Sequence, residues 1–166
     1  NIRQLYKNDA VYSYLATRTI AEDHCSDVEA AAAAGDAVLL SFTEKPYFDY
    51  FGAYHIFKTL GWLRHRPAVP VLLENAANLP PRFFNHQAGA ILALAEIGDA
   101  SVYPVLVKVA KNTSIWELKY ACLMAAERMG ADDSALRNML QNDHDWLIRA
   151  RARNQLGFSH LRSDFR

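Results

Sequence analysis

The feature that most constrains this chain is a column of positions, Leu60, Leu94, Ala126 and Leu156, that returns at a nearly constant and slightly shortening interval. The stretch from His86 to Asp99, running into Ser101–Val102–Tyr103–Pro104–Val105–Leu106–Val107–Lys108, matches Gly52 to Arg64 followed by Pro70–Val71–Leu72–Leu73. In that alignment Leu60 meets Leu94 and Pro70 meets Pro104. One copy further on, Ala126 stands opposite Leu94 and Leu136 opposite Pro104, and a last copy sets Leu156 opposite Ala126. Three successive matches near one period are hard to produce by accident. Self-similarity on this length scale is the mark of a repeat architecture.

Each copy reads as helix, short turn, helix. Ala88, Ile91, Leu92 and Ala95 form the broad apolar stripe of a first helix. Gly98 and Gly130 stand where a helix calls for a left-handed residue after its last turn. Asp99, Ser101, Asp132 and Asp133 offer N-cap oxygens to the second helix, and Pro104 falls in its first turn, where a missing N–H costs little. Pro46, Pro67 and the Pro80–Pro81 pair punctuate helix boundaries. No stretch alternates with period two, so no sheet is expected. The clearest repeats span about 50–78, 84–111, 115–141 and 145–158. An atypical N-terminal unit covers about 8–43, with its first helix near Asp9 to Asp23, because Val38–Leu39–Leu40 precedes Val71–Leu72–Leu73 by one repeat length. The expectation is a single domain over 1–166.

Composition agrees with that reading. The chain holds 26 alanines but only 7 glycines and 6 prolines among 166 residues, and alanine both favours helix and lets helices approach closely. Eighteen basic side chains cancel eighteen acidic ones, so no global field draws the protein to nucleic acid or to anionic lipid. The balance hides a gradient: residues 1–60 carry 5 Lys/Arg against 8 Asp/Glu, and residues 145–166 carry 5 Arg against 2 Asp. No apolar run approaches a membrane span. Cys25 and Cys122 share no metal or redox spacing and read as free thiols, which points to a reducing, cytoplasmic setting.

The segment Leu94–Ala95–Glu96–Ile97–Gly98–Asp99 followed by Tyr103–Pro104–Val105–Leu106 resembles HEAT-like repeats, most closely the short type of the phycobilisome-lyase-related family. Asp145–Trp146–Leu147–Ile148–Arg149 is similar to that family's Asp-x-x-Val-Arg entry into a first helix. Gln87 and Ala53 depart from the pattern, standing where it has an arginine. The resemblance covers roughly residues 50–158. It implies an all-α fold, a right-handed α-solenoid of about four to five HEAT-like hairpins, with second helices lining a concave face. The family includes bilin lyases and related chromophore-handling subunits beside plain protein-binding scaffolds, and fold alone does not choose among these.

Several side chains are candidates for a partner- or ligand-binding surface. Tyr47, Phe48, Tyr50, Phe51, Tyr54, Phe57 and Trp62 surround most of one helix, more aromatic surface than two packed layers need, and Tyr and Trp are favoured in binding hot spots. Trp62–Leu63–Arg64–His65–Arg66 continues them with a basic turn able to grip a carboxylate or phosphate. Glu74 and Lys108 hold equivalent positions on successive second helices and are expected to face solvent. His86 completes the candidate set.

Catalytic and metal chemistry find little support. Asn85–His86–Gln87 resembles the His-Glu pairs of di-iron HEAT-repeat hydroxylases such as deoxyhypusine hydroxylase. The carboxylate is missing there, and the equivalent pairs are Gly52–Ala53 and Leu118–Lys119, so no metal is expected. Arg149, Arg151 and Arg153 do not share one helix face, Asp145 is placed to pair with Arg149, and nucleic acid is not an expected partner. No nucleophile elbow, phosphate loop or zinc spacing occurs. The expected function is a non-catalytic scaffold that binds a protein partner through its concave face and aromatic–basic turn, without a cofactor. The alternative is a phycobilin lyase or lyase-like subunit that holds a bilin tetrapyrrole.

Overall fold

A computed structural model describes residues 18–20, 22–23, 26–44 and 50–154. Among them, residues 18–20 and 22–23 are helical, and eight further α-helices follow: α1 (Val28–Glu44), α2 (Tyr50–Trp62), α3 (Val69–Ala77), α4 (Phe84–Ile97), α5 (Tyr103–Asn112), α6 (Trp116–Met129), α7 (Ser134–Leu140) and α8 (Trp146–Ala152). No strand occurs among the described residues. Helices α2, α4, α6 and α8 pack on one another in chain order as one layer, and α3, α5 and α7 stack as a second. The result is an all-α solenoid of helical hairpins. Most of the helix expected over residues 9–23, the end of the last repeat beyond Asn154, Cys25 and Tyr47 lie outside the described residues.

One column of the repeat forms the centre of the core. Leu60, Leu94 and Ala126 are fully buried, as are Phe57, Ile91 and Leu123 one helical turn earlier. Residues three apart share a helix face, so each first helix points the same two positions at its hairpin partner and at the next repeat. The layer is tight because small residues sit at the crossings. A Cβ on Gly61 of α2 would stand 2.8 Å from the Ala93 Cα of α4, and one on Gly89 would stand 2.9 Å from the Tyr54 ring.

Turn chemistry closes each hairpin. Gly98 and Gly130 take left-handed φ of 77° and 62° immediately after α4 and α6. Asp99 accepts from the Ser101 N–H and caps the short 3₁₀ turn leading to α5. Asp132 accepts from the Ser134 N–H, whereas Asp133 pairs with Arg137 and contributes no cap. Proline occupies the first turn of α3 and of α5. After α2 the left-handed position belongs to Arg64, with φ of 49°. There the Arg64 N–H bonds to the Gly61 carbonyl and the His65 N–H to the Leu60 carbonyl, the paired pattern of a Schellman end.

Polar groups at equivalent positions tie the repeats together. Glu96 and Arg128, on successive first helices, form an ion pair between α4 and α6. The Leu136 N–H donates to the Tyr103 hydroxyl at 3.3 Å, so α5 helps to cap α7. Buried Gln87 donates to the Ala76 carbonyl at the end of α3, and buried Lys119 pairs with Asp143. The expected Asp145–Arg149 pair is not formed. Asp145 accepts from the Leu147 and Ile148 N–H groups as the N-cap of α8, and Arg149 donates to the Asp143 and His144 carbonyls. A capping carboxylate is committed to the orphan donors of its own helix start and leaves the arginine to the preceding loop.

Candidate functional site

Helix α2 ends in the aromatic–basic turn, and the turn faces the start of α1. Together they enclose a cleft of about 700 Å³ whose walls include Trp62, Arg64, His65 and Arg66 on one side and Val28, Ala32 and Asp36 on the other. Arg64 and Arg66 are exposed, and Trp62 leaves 42% of its surface in solvent. Lys58 lies between two rings of the same helix, 4.8 Å from the Trp62 centroid and 5.6 Å from that of Tyr54. This cation–π bridge holds Trp62 against α2 by one face. Two arginines against one aspartate leave the lining with one excess positive charge at neutral pH, while His65 stays neutral.

His65 is the buried base of this turn. Only 4% of its surface is exposed, and its ring lies so close to α1 that a Cβ on Gly35 would meet Nδ1 at 2.2 Å. Its Nε2 faces the Asp36 carboxylate at 3.3 Å but makes no hydrogen bond among the described residues. Burial lowers the imidazole pKa below its ordinary value, a shift the Asp36 charge opposes in part.

The other candidates scatter. Tyr50 opens α2, and its side chain lies outside the described residues. Tyr54 is half-buried against Gly89, and burial pushes its hydroxyl pKa up. Glu74 and Lys108 are both exposed on α3 and α5. Lys108 borders a separate pocket of about 280 Å³, with Leu79, Gln87 and Thr113. His86 is not a surface group. It is 4% exposed, stacked on Phe83 with centroids 5.4 Å apart and edge-on to Phe57. Aromatic and glycine neighbours from other elements enclose both His65 and His86, and of the two only His65 lines the cleft. Of the ten candidates, Trp62, Arg64, His65 and Arg66 are the ones brought onto one cleft.

Sequence reasoning passed over Lys58, Asp36, Trp116 and Trp146. Trp116 and Trp146 open α6 and α8 with 42% and 66% of their surface exposed. They fall on the column Tyr50, Phe84, Trp116, Trp146, which steps along the chain by the same intervals as Leu60, Leu94, Ala126 and Leu156, so the repeat itself carried the signal. Lys58 lies four residues from both Tyr54 and Trp62, a helical neighbour of each. Asp36 reaches the cleft only through the packing of α1, and no local pattern marked it. Among the described residues no group of three or more His, Cys, Asp or Glu is placed to hold a metal ion, and no helix is long and apolar enough to cross a membrane.

Stacked hairpins with left-handed turns, a continuous inter-repeat core and a side cleft define a helical-repeat protein of the HEAT type, and the HEAT-repeat family profile matches residues 81–157. The chain is a HEAT-like repeat protein, and over 148 residues it is 38% identical to an uncharacterized phycocyanin operon protein Y of Pseudanabaena tenuis. That alignment takes in 89% of this chain and 33% of the relative, so the chain spans about a third of the length of the curated relative it matches. No solved structure matches it significantly.

Proposed function

We propose that this chain is a non-catalytic docking module that binds a protein of the phycobilisome through the cleft between α1 and the α2–α3 turn. The observation that carries this reading is the gathering of exposed Trp62, Arg64 and Arg66 on one cleft of a HEAT-like solenoid, in a chain similar to a phycocyanin operon protein. Solenoids expose long surfaces that hold other chains without chemistry of their own. A rigid aromatic beside an arginine is the composition of an interface hot spot. The test is capture of purified phycocyanin subunits, with and without their chromophore. Trp62→Ala combined with Arg64→Glu abolishes capture while helicity is kept; retained capture refutes the surface.

A second reading, a lyase-like chromophore-binding subunit, is favoured by one specific observation. The cleft's volume of about 700 Å³ falls in the range of small-molecule sites, and two arginines beside a tryptophan match the propionates and conjugated body of a bilin. Mixing with phycocyanobilin then shifts the pigment's absorbance and makes it co-elute with the protein. An unchanged spectrum with no co-elution ends this reading and leaves the docking module.

A further inference from the structure

Arg64 breaks the rule that the other two turns keep. It holds the same column as Gly98 and Gly130, one and two copies on, and the same left-handed backbone. A side chain is disfavoured in that conformation, and only glycine takes it freely. An arginine at a glycine position is an outlier that calls for a use, and no use is visible among the described residues. Arg128 and Arg151 pair with Glu96 and Glu127 of neighbouring helices, and Arg137 pairs with Asp133 at the start of its own helix. The Arg64 guanidinium makes no ion pair or hydrogen bond among the described residues, and it lines the cleft.

The rest of the cleft fits the same ligand. Trp62 shares the wall with Arg64 and has one face occupied by Lys58, which leaves exposed ring for an apolar body. Val28, 86% exposed, offers apolar surface opposite. The cleft's own acid, Asp36, lies 3.3 Å from His65 Nε2 and forms no ion pair with Arg64. We propose that this cleft is a carboxylate-binding site, in which Arg64 takes the carboxylate and Trp62 the apolar body that carries it. The assignment rests on the cleft being the contact surface and adds the chemistry it selects. A planar guanidinium favours a carboxylate through two parallel hydrogen bonds, which a lysine or a neutral amide does not reproduce.

The probe is 3-phenylpropionate, with 3-phenylpropanamide as its neutral isostere, followed by NMR at the Trp62 indole and Arg64 Nε–H signals. The carboxylate gives a saturable shift at both groups in the millimolar range. The amide, and the carboxylate on Arg64→Gln, bind about tenfold more weakly, the ratio expected for losing one charge-assisted pair. Arg64→Gly shows the same loss with unimpaired thermal stability, which separates recognition from folding. Equal binding of acid and amide, or no saturable shift at these two groups, overturns the assignment. Two further arms separate the sources of such a group: biliverdin against its dimethyl ester for a propionate, and a Phe-Glu peptide against Phe-Gln for a partner's side chain. A preference for the acid in either arm supports the site and names its source; no preference in both overturns it. Should Trp62→Ala abolish capture of phycocyanin subunits while Arg64→Gln leaves it intact, the docking reading stands and the carboxylate assignment falls. Should neither variant change capture, both fall.

Discussion

Replacing the left-handed residues of one repeat column, Arg64, Gly98 and Gly130, in opposite senses isolates the cost of Arg64. At Gly98 and Gly130 a new Cβ would find no atom within 4 Å, so Gly98→Ala and Gly130→Ala introduce backbone strain without a clash. A non-glycine residue in this conformation costs about 1–2 kcal/mol, of which the reduced freedom of the unfolded chain returns up to about 1 kcal/mol. The expected net loss is about 1 kcal/mol for each, or about 2–4 °C in Tm for a chain of this size. Arg64→Gly runs the other way: the strain is relieved, the more flexible unfolded chain takes back part of the gain, and about 0.5 kcal/mol or about 1–2 °C remains. Differential scanning calorimetry and urea denaturation at one pH measure all three variants. A fall of Tm in Arg64→Gly comparable to that of Gly98→Ala would show that the arginine side chain holds the turn together. Arg64 would then serve the fold and not an external ligand.

Four other outcomes follow from the packing. Lys119→Met leaves the Asp143 carboxylate buried without its cation and costs about 3 kcal/mol in urea denaturation; a loss below about 1 kcal/mol refutes the pair's importance. Burial by itself raises the Asp143 pKa, but hydrogen bonds from Lys119 and the Asp145 N–H, with the charges of Lys119 and His144, bring it below the ordinary carboxylate value. A folded pKa below the unfolded value of about 4 means that the stabilisation is complete above that pH and is lost as pH falls through the folded pKa, so Asp143→Asn has a pH–stability curve that declines less steeply in acid than the parent's. Gly61→Ala drives a methyl into the Ala93 backbone and lowers stability by about 1 kcal/mol despite alanine's better helix propensity; a rise in Tm would mean that α2 and α4 part without cost. Burial pushes the Cys122 thiol up to about 12, so in a Cys25→Ser background iodoacetamide labels it much more slowly in the folded than in the urea-unfolded chain, and rapid native labelling would place it at the surface.

How far the sequence discloses such a molecule depends on the range of the contacts involved. The repeat is legible because one column, Leu60–Leu94–Ala126, meets the same neighbours in every copy, and so do the left-handed glycines. The fates of His65 and His86 are not local. His86 is enclosed by Phe83 from the turn before α4 and by Phe57 from α2, and His65 is pressed against Gly35 of α1. The decisive neighbours come from other elements, so an exposed and an enclosed histidine look the same in sequence. The cleft was half legible. Its Trp62–Arg66 wall is one continuous segment, whereas the Val28–Asp36 wall comes from a helix whose register against the repeat is soft. The Asp145–Arg149 pairing failed for a different reason: i, i+4 spacing permits the contact, but the helix start competes for the same carboxylate and wins.

Departures from the repeat therefore fall into two kinds, and the difference between them locates function. Along the column Ala53, Gln87, Lys119 and Arg149 the side chain changes in every copy, yet each change is answered within the fold. Ala53 is buried among apolar neighbours, Gln87 reaches the Ala76 carbonyl, Lys119 meets Asp143 and Arg149 reaches the Asp143 and His144 carbonyls. Such positions vary because the seam between layers varies, and stability accounts for them. Along the column Arg64, Gly98 and Gly130 the change is opposed by the backbone and answered by no ion pair or hydrogen bond among the described residues. A repeat protein builds its sites by altering one copy of a common unit. An alteration that costs the fold something and satisfies no internal partner is the kind that an external ligand must repay, which directs the search for one to the cleft beside Arg64.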